Sequence, residues 1–134
     1  MNMSKRSKQG FTIIELVFTI FLAVFASIMF FIQKDNIQTI ANDDKKKMAI
    51  NAMYYSLEKV FYENNKFYPQ EINKDVLPSV DPELFTDPEG NEFNTGNSAY
   101  SYSPVDCENN KCKGYTLKAK LKNEVDYKKT SDNS

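Results

Sequence analysis

The sequence predicts an α+β fold, with one long helix followed by a small antiparallel sheet, and three observations carry that expectation. No proline or glycine interrupts residues 11–67, so neither a missing amide nor a free glycine backbone breaks a helix there. Apolar residues recur at helical steps through Ala49, Met53, Leu57, Val60 and Phe61. Late in the chain the period changes to two, at 99–103 and more clearly at 115–121, where Tyr115, Leu117, Ala119 and Leu121 alternate with Thr116, Lys118 and Lys120.

At 134 residues the chain is sized for one small domain with a modest core. Its formal net charge is −1. The first ten residues hold Lys5, Arg6 and Lys8 and no acid, which leaves a net charge of −4 from Phe11 onward. An acidic body without a basic patch interleaved with aromatics gives no nucleic-acid signature, so no nucleic-acid partner is expected. The chain has no histidine, which excludes histidine-dependent triads and histidine metal sites. An enzyme is not expected, nor a cofactor.

The most informative stretch is 11–32. These 22 residues include one ionisable side chain, Glu15, and three other polar ones, Thr12, Thr19 and Ser27. As a helix the stretch measures roughly 33 Å, enough to cross a bilayer, and the basic leader before it favours an outward-facing remainder. A secretory signal cut after Ala26 is one reading. A plain membrane anchor is another. Neither explains a carboxylate that costs roughly 2.5–3.5 kcal/mol at the bilayer centre and less near an end. With the remainder outside, Cys107 and Cys112 are expected to pair, clipping a hairpin across the short segment between them. A redox-active pair would call for closer, CxxC spacing.

The segment Lys8-Gln9-Gly10-Phe11-Thr12-Ile13-Ile14-Glu15-Leu16 resembles the N-terminus of type IV pilins and pilin-like proteins. The resemblance implies cleavage after Gly10 by a membrane prepilin peptidase, N-methylation of Phe11, and Glu15 as the fifth residue of the mature chain. It also implies a pilin-like fold, with the helix packed on its sheet, and a helical homo-polymer extracted from the membrane by an assembly platform and motor. In such a filament the Phe11 ammonium of one copy can lie near the Glu15 carboxylate of another, which offsets the desolvation of both and sets axial register. A second, weaker resemblance lies in Glu58-Lys59-Val60-Phe61-Tyr62-Glu63-Asn64-Asn65-Lys66-Phe67-Tyr68-Pro69, where a pilin helix ends in a Tyr-rich turn. Two departures stand out. Ile32 occupies the position where many pilins carry proline, so the helix is expected to run on without interruption. The span between the cysteines is also shorter than the usual C-terminal disulfide loop.

Beyond 32 the composition turns polar. Asp43-Asp44-Lys45-Lys46-Lys47 reads as a solvated face. The helix is expected to end near Asn64-Asn65, where asparagine tolerates a left-handed cap. Tyr54, Tyr55, Phe61, Tyr62, Phe67 and Tyr68 are expected to pack the helix on the sheet. Residues 70–98 form a long connection with little regular structure, including a tight turn at 86–91. That turn resembles one in type II secretion pseudopilins, where a nearby loop can hold calcium. Asp81, Asp87, Glu89, Asn91 and Asn94 would supply hard oxygen ligands, but without EF-hand spacing. From Asn123 the chain is expected to fray.

The organisation expected is therefore a leader at 1–10, a transmembrane or assembly helix at 11–32, a globular domain at 33–122 and a polar tail at 123–134. The expected role is a structural subunit of a cell-surface pilus, starting as a single-pass membrane precursor. A pseudopilin and a monomeric anchored binding domain are the alternatives.

Overall fold

Helix α1 spans Ile13–Ser56 and continues through a π-helical turn, Leu57–Tyr62, into the short α2, Glu63–Asn65. This computed structural model describes residues 10–133. The chain divides into two compact units, Met1–Ile37 and Gln38–Ser134. In the first, the described residues from 10 onward are all exposed.

In the second unit the helix packs on an antiparallel sheet of strands β1 (Tyr68–Pro69), β2 (Tyr100–Glu108), β3 (Lys111–Ala119) and β4 (Tyr127–Thr130). β3 is central, with β2 along one side and β1 and β4 on the other. The core is Ala49, Ile50, Met53 and Leu57 from the helix against Tyr100, Tyr102, Tyr115, Leu117 and Ala119 from the sheet, sealed by Leu77, Val80 and Phe85 of the connection. The α+β prediction holds, and both predicted strands form, but β2 runs on to Glu108 and β3 starts earlier, at Lys111, and ends at Ala119, so Leu121 falls beyond it. Between the helix and β2 the chain is largely irregular, with one 3₁₀ turn at Pro82–Phe85.

The π turn decides which side chains face this core. A π turn holds more residues than an α turn, so it rotates everything after Leu57 backward around the axis. Glu58 is thereby buried beside Leu57, at 4% exposure, while Val60, expected in the apolar stripe, is exposed. The helix stops where expected, but the left-handed residue is Lys66, at φ 62°. Asn64 and Asn65 instead turn their amides back to the carbonyls of Val60 and Phe61, at 2.8 and 2.9 Å, supplying donors that the last turn lacks. Most of the expected aromatics pack as predicted, but Tyr55 points to solvent.

Two further expectations are corrected. The charged run is not a solvated face throughout. Asp43 and Lys46 are each only 2% exposed, because steps of three and four carry the inward stripe from Leu57 through Met53 and Ile50 back to positions 46 and 43. The tail does not fray at Asn123: β4 pairs with β3, and Ser131 exchanges hydrogen bonds with the backbone of Tyr115. A polar strand can hold this place because the unpaired side of β3 offers it a ladder of backbone groups.

The hairpin turns at Asn109-Asn110, both at positive φ, 51° and 62°. That is a two-residue turn whose twist suits the strands, and asparagine tolerates it. Cys107 and Cys112 face each other across it and are bonded. Replacing both cysteines with serine is expected to lower stability by about 2 kcal/mol, the chain-entropy estimate for so short a loop. Urea unfolding of the full chain in detergent measures this, and an unchanged midpoint would contradict it.

Candidate functional site

The apolar helix segment is almost self-sufficient in its polar chemistry. Thr12 caps the helix: its hydroxyl accepts from the Glu15 amide at 3.4 Å, and its carbonyl accepts from the Leu16 amide. Thr19 and Ser27 donate their hydroxyls to the carbonyls of Glu15 and Ala23, at 2.7 and 2.8 Å. These back-bonds hide the hydroxyls from an apolar surrounding. What is left over is the Glu15 carboxylate, which makes no hydrogen bond or ion pair among the described residues. Around it the large apolar side chains from Phe11 to Ile32 are all exposed, Phe11 to 76%. This helix is long and apolar enough to cross a membrane. Gly10 is exposed, with open space where a side chain would begin. Lys5, Arg6 and Lys8 lie outside the described residues.

Thr12-x-x-Glu15 also has capping-box spacing, but only half of the box forms: the Glu15 backbone amide bonds Thr12 while its carboxylate makes no bond among the described residues, so its local role is that of an acid in the first turn at a positive helix end. An acid in the first turn suits the helix start, but that does not explain the sixteen large apolar side chains exposed between Phe11 and Ile32.

The second unit holds two polar clusters, and sequence reasoning missed the first and, in the second, the part played by Asp43 and Lys46. In the first, the Glu58 carboxylate accepts from Tyr68 Oη at 2.8 and 3.1 Å, Tyr115 Oη at 2.8 Å, the Asp132 amide at 3.3 Å and Asn133 Nδ2 at 3.4 Å. It joins helix, sheet and C-terminus in one buried network. Burial, with help from Glu58, pushes Tyr115 far up and Tyr68 to about 12. Tyr54, donating to Asp132 at 2.7 Å, rises to about 12. No periodic signal marks Glu58, since it depends on the π turn.

In the second cluster, the Asp43 carboxylate accepts from the amides of Lys122 and Asn123 at 3.1 Å. Lys46 pairs with Glu89 at 3.1 Å, and Lys122 also approaches Glu89. Asp87 sits at the centre of the 86–91 turn. Its oxygens accept from the amides of Glu89, Asn91 and Ala99 and from the Asn91 side chain. Burial raises the Asp87 pKa, but these donors outweigh it and hold the group below its ordinary value. The calcium candidates Asp87, Glu89 and Asn91 are thus brought together, but as a turn scaffold with an ammonium on Glu89. Asp81 is spent capping the 3₁₀ turn, and Asn94 accepts from the Tyr102 amide. Among the described residues no group of three acids, cysteines or histidines is arranged to hold a metal ion.

No protein-family model, curated protein or solved structure matches the chain.

Two outcomes follow from the Glu58 cluster. Glu58→Ala leaves the two buried phenol donors of Tyr68 and Tyr115 without their acceptor and is expected to cost about 3 kcal/mol, against less than about 0.5 kcal/mol for exposed Glu63→Ala. Equal unfolding midpoints for the two variants would contradict the network's role. Tyr68 and Tyr54 hold their protons more tightly when folded than an ordinary tyrosine, near 10. Their contribution is therefore complete below about pH 10 and is lost as pH rises toward about 12. Alkaline titration should show phenolate absorbance and loss of the folded state rising together over that window. Full ionisation near pH 10 with the fold intact would contradict the burial of Tyr68 and the Tyr54–Asp132 hydrogen bond.

Proposed function

We propose that this chain is a type IV pilin-like subunit, made as a single-pass membrane precursor, cut after Gly10, methylated on Phe11 and polymerised into an extracellular filament. The observation that carries this is the helix whose hydroxyls are satisfied internally, whose apolar side chains are exposed, and whose one unpartnered group is Glu15, five residues past Gly10. Cleavage creates an ammonium at Phe11. In an assembled bundle that ammonium supplies the charge Glu15 lacks, and the apolar surface is covered by other copies. A prepilin peptidase and methyltransferase, an assembly platform and a motor are the partners this role calls for. A pseudopilin of a secretion or competence system would use the same chemistry.

The place of Glu15 in the first turn favours a second reading, a monomeric anchored domain in which its carboxylate only complements the positive helix end. The two part at the N-terminus. The intact mass and N-terminal peptide of protein sheared from the native cell surface should show a chain beginning at Phe11 and one methyl heavier. A chain beginning at Met1 or Ser27 would contradict the filament role.

A further inference from the structure

On the second unit, a groove of about 510 Å³ opens between the residues that end the helix and the tip of the β2–β3 hairpin. Lys66, Lys111 and Lys113 line it. None of these three ammoniums lies within ion-pair distance of a carboxylate among the described residues, although Asp106 and Glu108 stand on the same walls. Aromatic rings hold two of them instead. Lys66 Nζ lies 5.9 Å from the centre of the Tyr62 ring, and Lys111 Nζ lies 5.0 Å from that of Phe67. The rings are themselves fixed: Tyr62 stacks on buried Tyr68 at 4.8 Å, and Phe67 meets Phe61 edge-on at 5.8 Å. The groove is therefore built, with cations placed by packing and without counter-ions.

We propose that this groove binds an anionic saccharide. Unpaired ammoniums in an open groove attract a carboxylate or sulfate. The amides of Asn109 and Asn133, on the same walls, donate and accept, and the carboxylates of Asp106 and Glu108 accept, so the lining can serve a hydroxyl-rich ligand on several sides. The same two carboxylates repel a phosphodiester chain, which brings a charge with every unit. That favours a sugar acid over a nucleic acid. The volume falls within the range of small-ligand sites. The site goes beyond the filament role and does not depend on it.

The test is an amide-detected NMR titration of the full chain in detergent micelles with sialyllactose, lactose and a thymidine oligonucleotide. Sialyllactose is expected to shift the signals of Asn109, Lys111 and Asn133 saturably, and to bind more weakly as salt rises. Lactose, which lacks the acid, should bind at least about tenfold more weakly. Lys111→Gln and Lys66→Asn, the latter chosen because asparagine accepts the left-handed backbone there, should each weaken sialyllactose binding about tenfold. Absence of saturable shifts, equal binding of lactose, insensitivity to both variants, or tighter binding of the oligonucleotide would each overturn the assignment.

Discussion

One helix has to satisfy two different environments, and the constraint falls on its polar groups. From Asp43 onward its inward stripe is buried against a sheet, and the inward charges Asp43, Lys46 and Glu58 find partners. From Phe11 to Ile32 every large apolar side chain is exposed. Burying that surface is worth roughly 25 cal/mol per Å² of apolar area, a driving force that only another molecule or a lipid can realise. Back-bonded hydroxyls at Thr19 and Ser27 and the cap at Thr12 prepare the segment for such a surrounding. Glu15 is the exception, and in an apolar environment an unpaired carboxylate is costly. The segment's function has to account for that cost.

The globular unit solves a different problem, that of holding a short sheet on a single helix. Its core is small and rich in tyrosine, so phenol hydroxyls are buried with the rings and need acceptors. Glu58 answers two of them, and Tyr102 donates to the Pro69 carbonyl at 2.6 Å. Asp43 and Lys46 tie the helix to the 120–124 segment and to the acidic turn. The ends of the chain's last element are thus pinned by charged groups rather than by apolar area. The sheet's open side is guarded more simply: Pro104 in β2 has no amide to offer, and the Tyr102 amide bonds Asn94.

Much of this was legible because it depends on local periodicity. The absence of proline and glycine fixed the length of the helix, alternation fixed β2 and β3, and the cysteine spacing fixed the hairpin clip. The failures have physical causes. Asp43 and Lys46 lie on the buried stripe by their spacing, but charge outweighed position when their surroundings were unknown. Glu58 and Val60 exchange places because of a π turn, which no residue type announces. β4 is polar and forms through tertiary pairing with an open side of β3, overriding its weak propensity. The lysine groove is assembled from the helix end, the hairpin tip and Asn133, which come together only in three dimensions. At the N-terminus, Gly10, Phe11 and Glu15 are marked only by the resemblance of their sequence, and to that the structure adds an exposed Gly10 and a Glu15 carboxylate without a partner among the described residues.

In the filament proposed above, Glu15 finds its counter-charge on another copy of the chain. Solid-state NMR on filaments assembled from a mixture of two preparations tests this most directly, with one carrying ¹⁵N at the Phe11 amine and the other ¹³C at the Glu15 carboxylate. A short-range nitrogen–carbon contact is expected in the mixed filament, because the pair forms between molecules. A contact seen only when both labels lie in the same chain, or seen in neither sample, would contradict it.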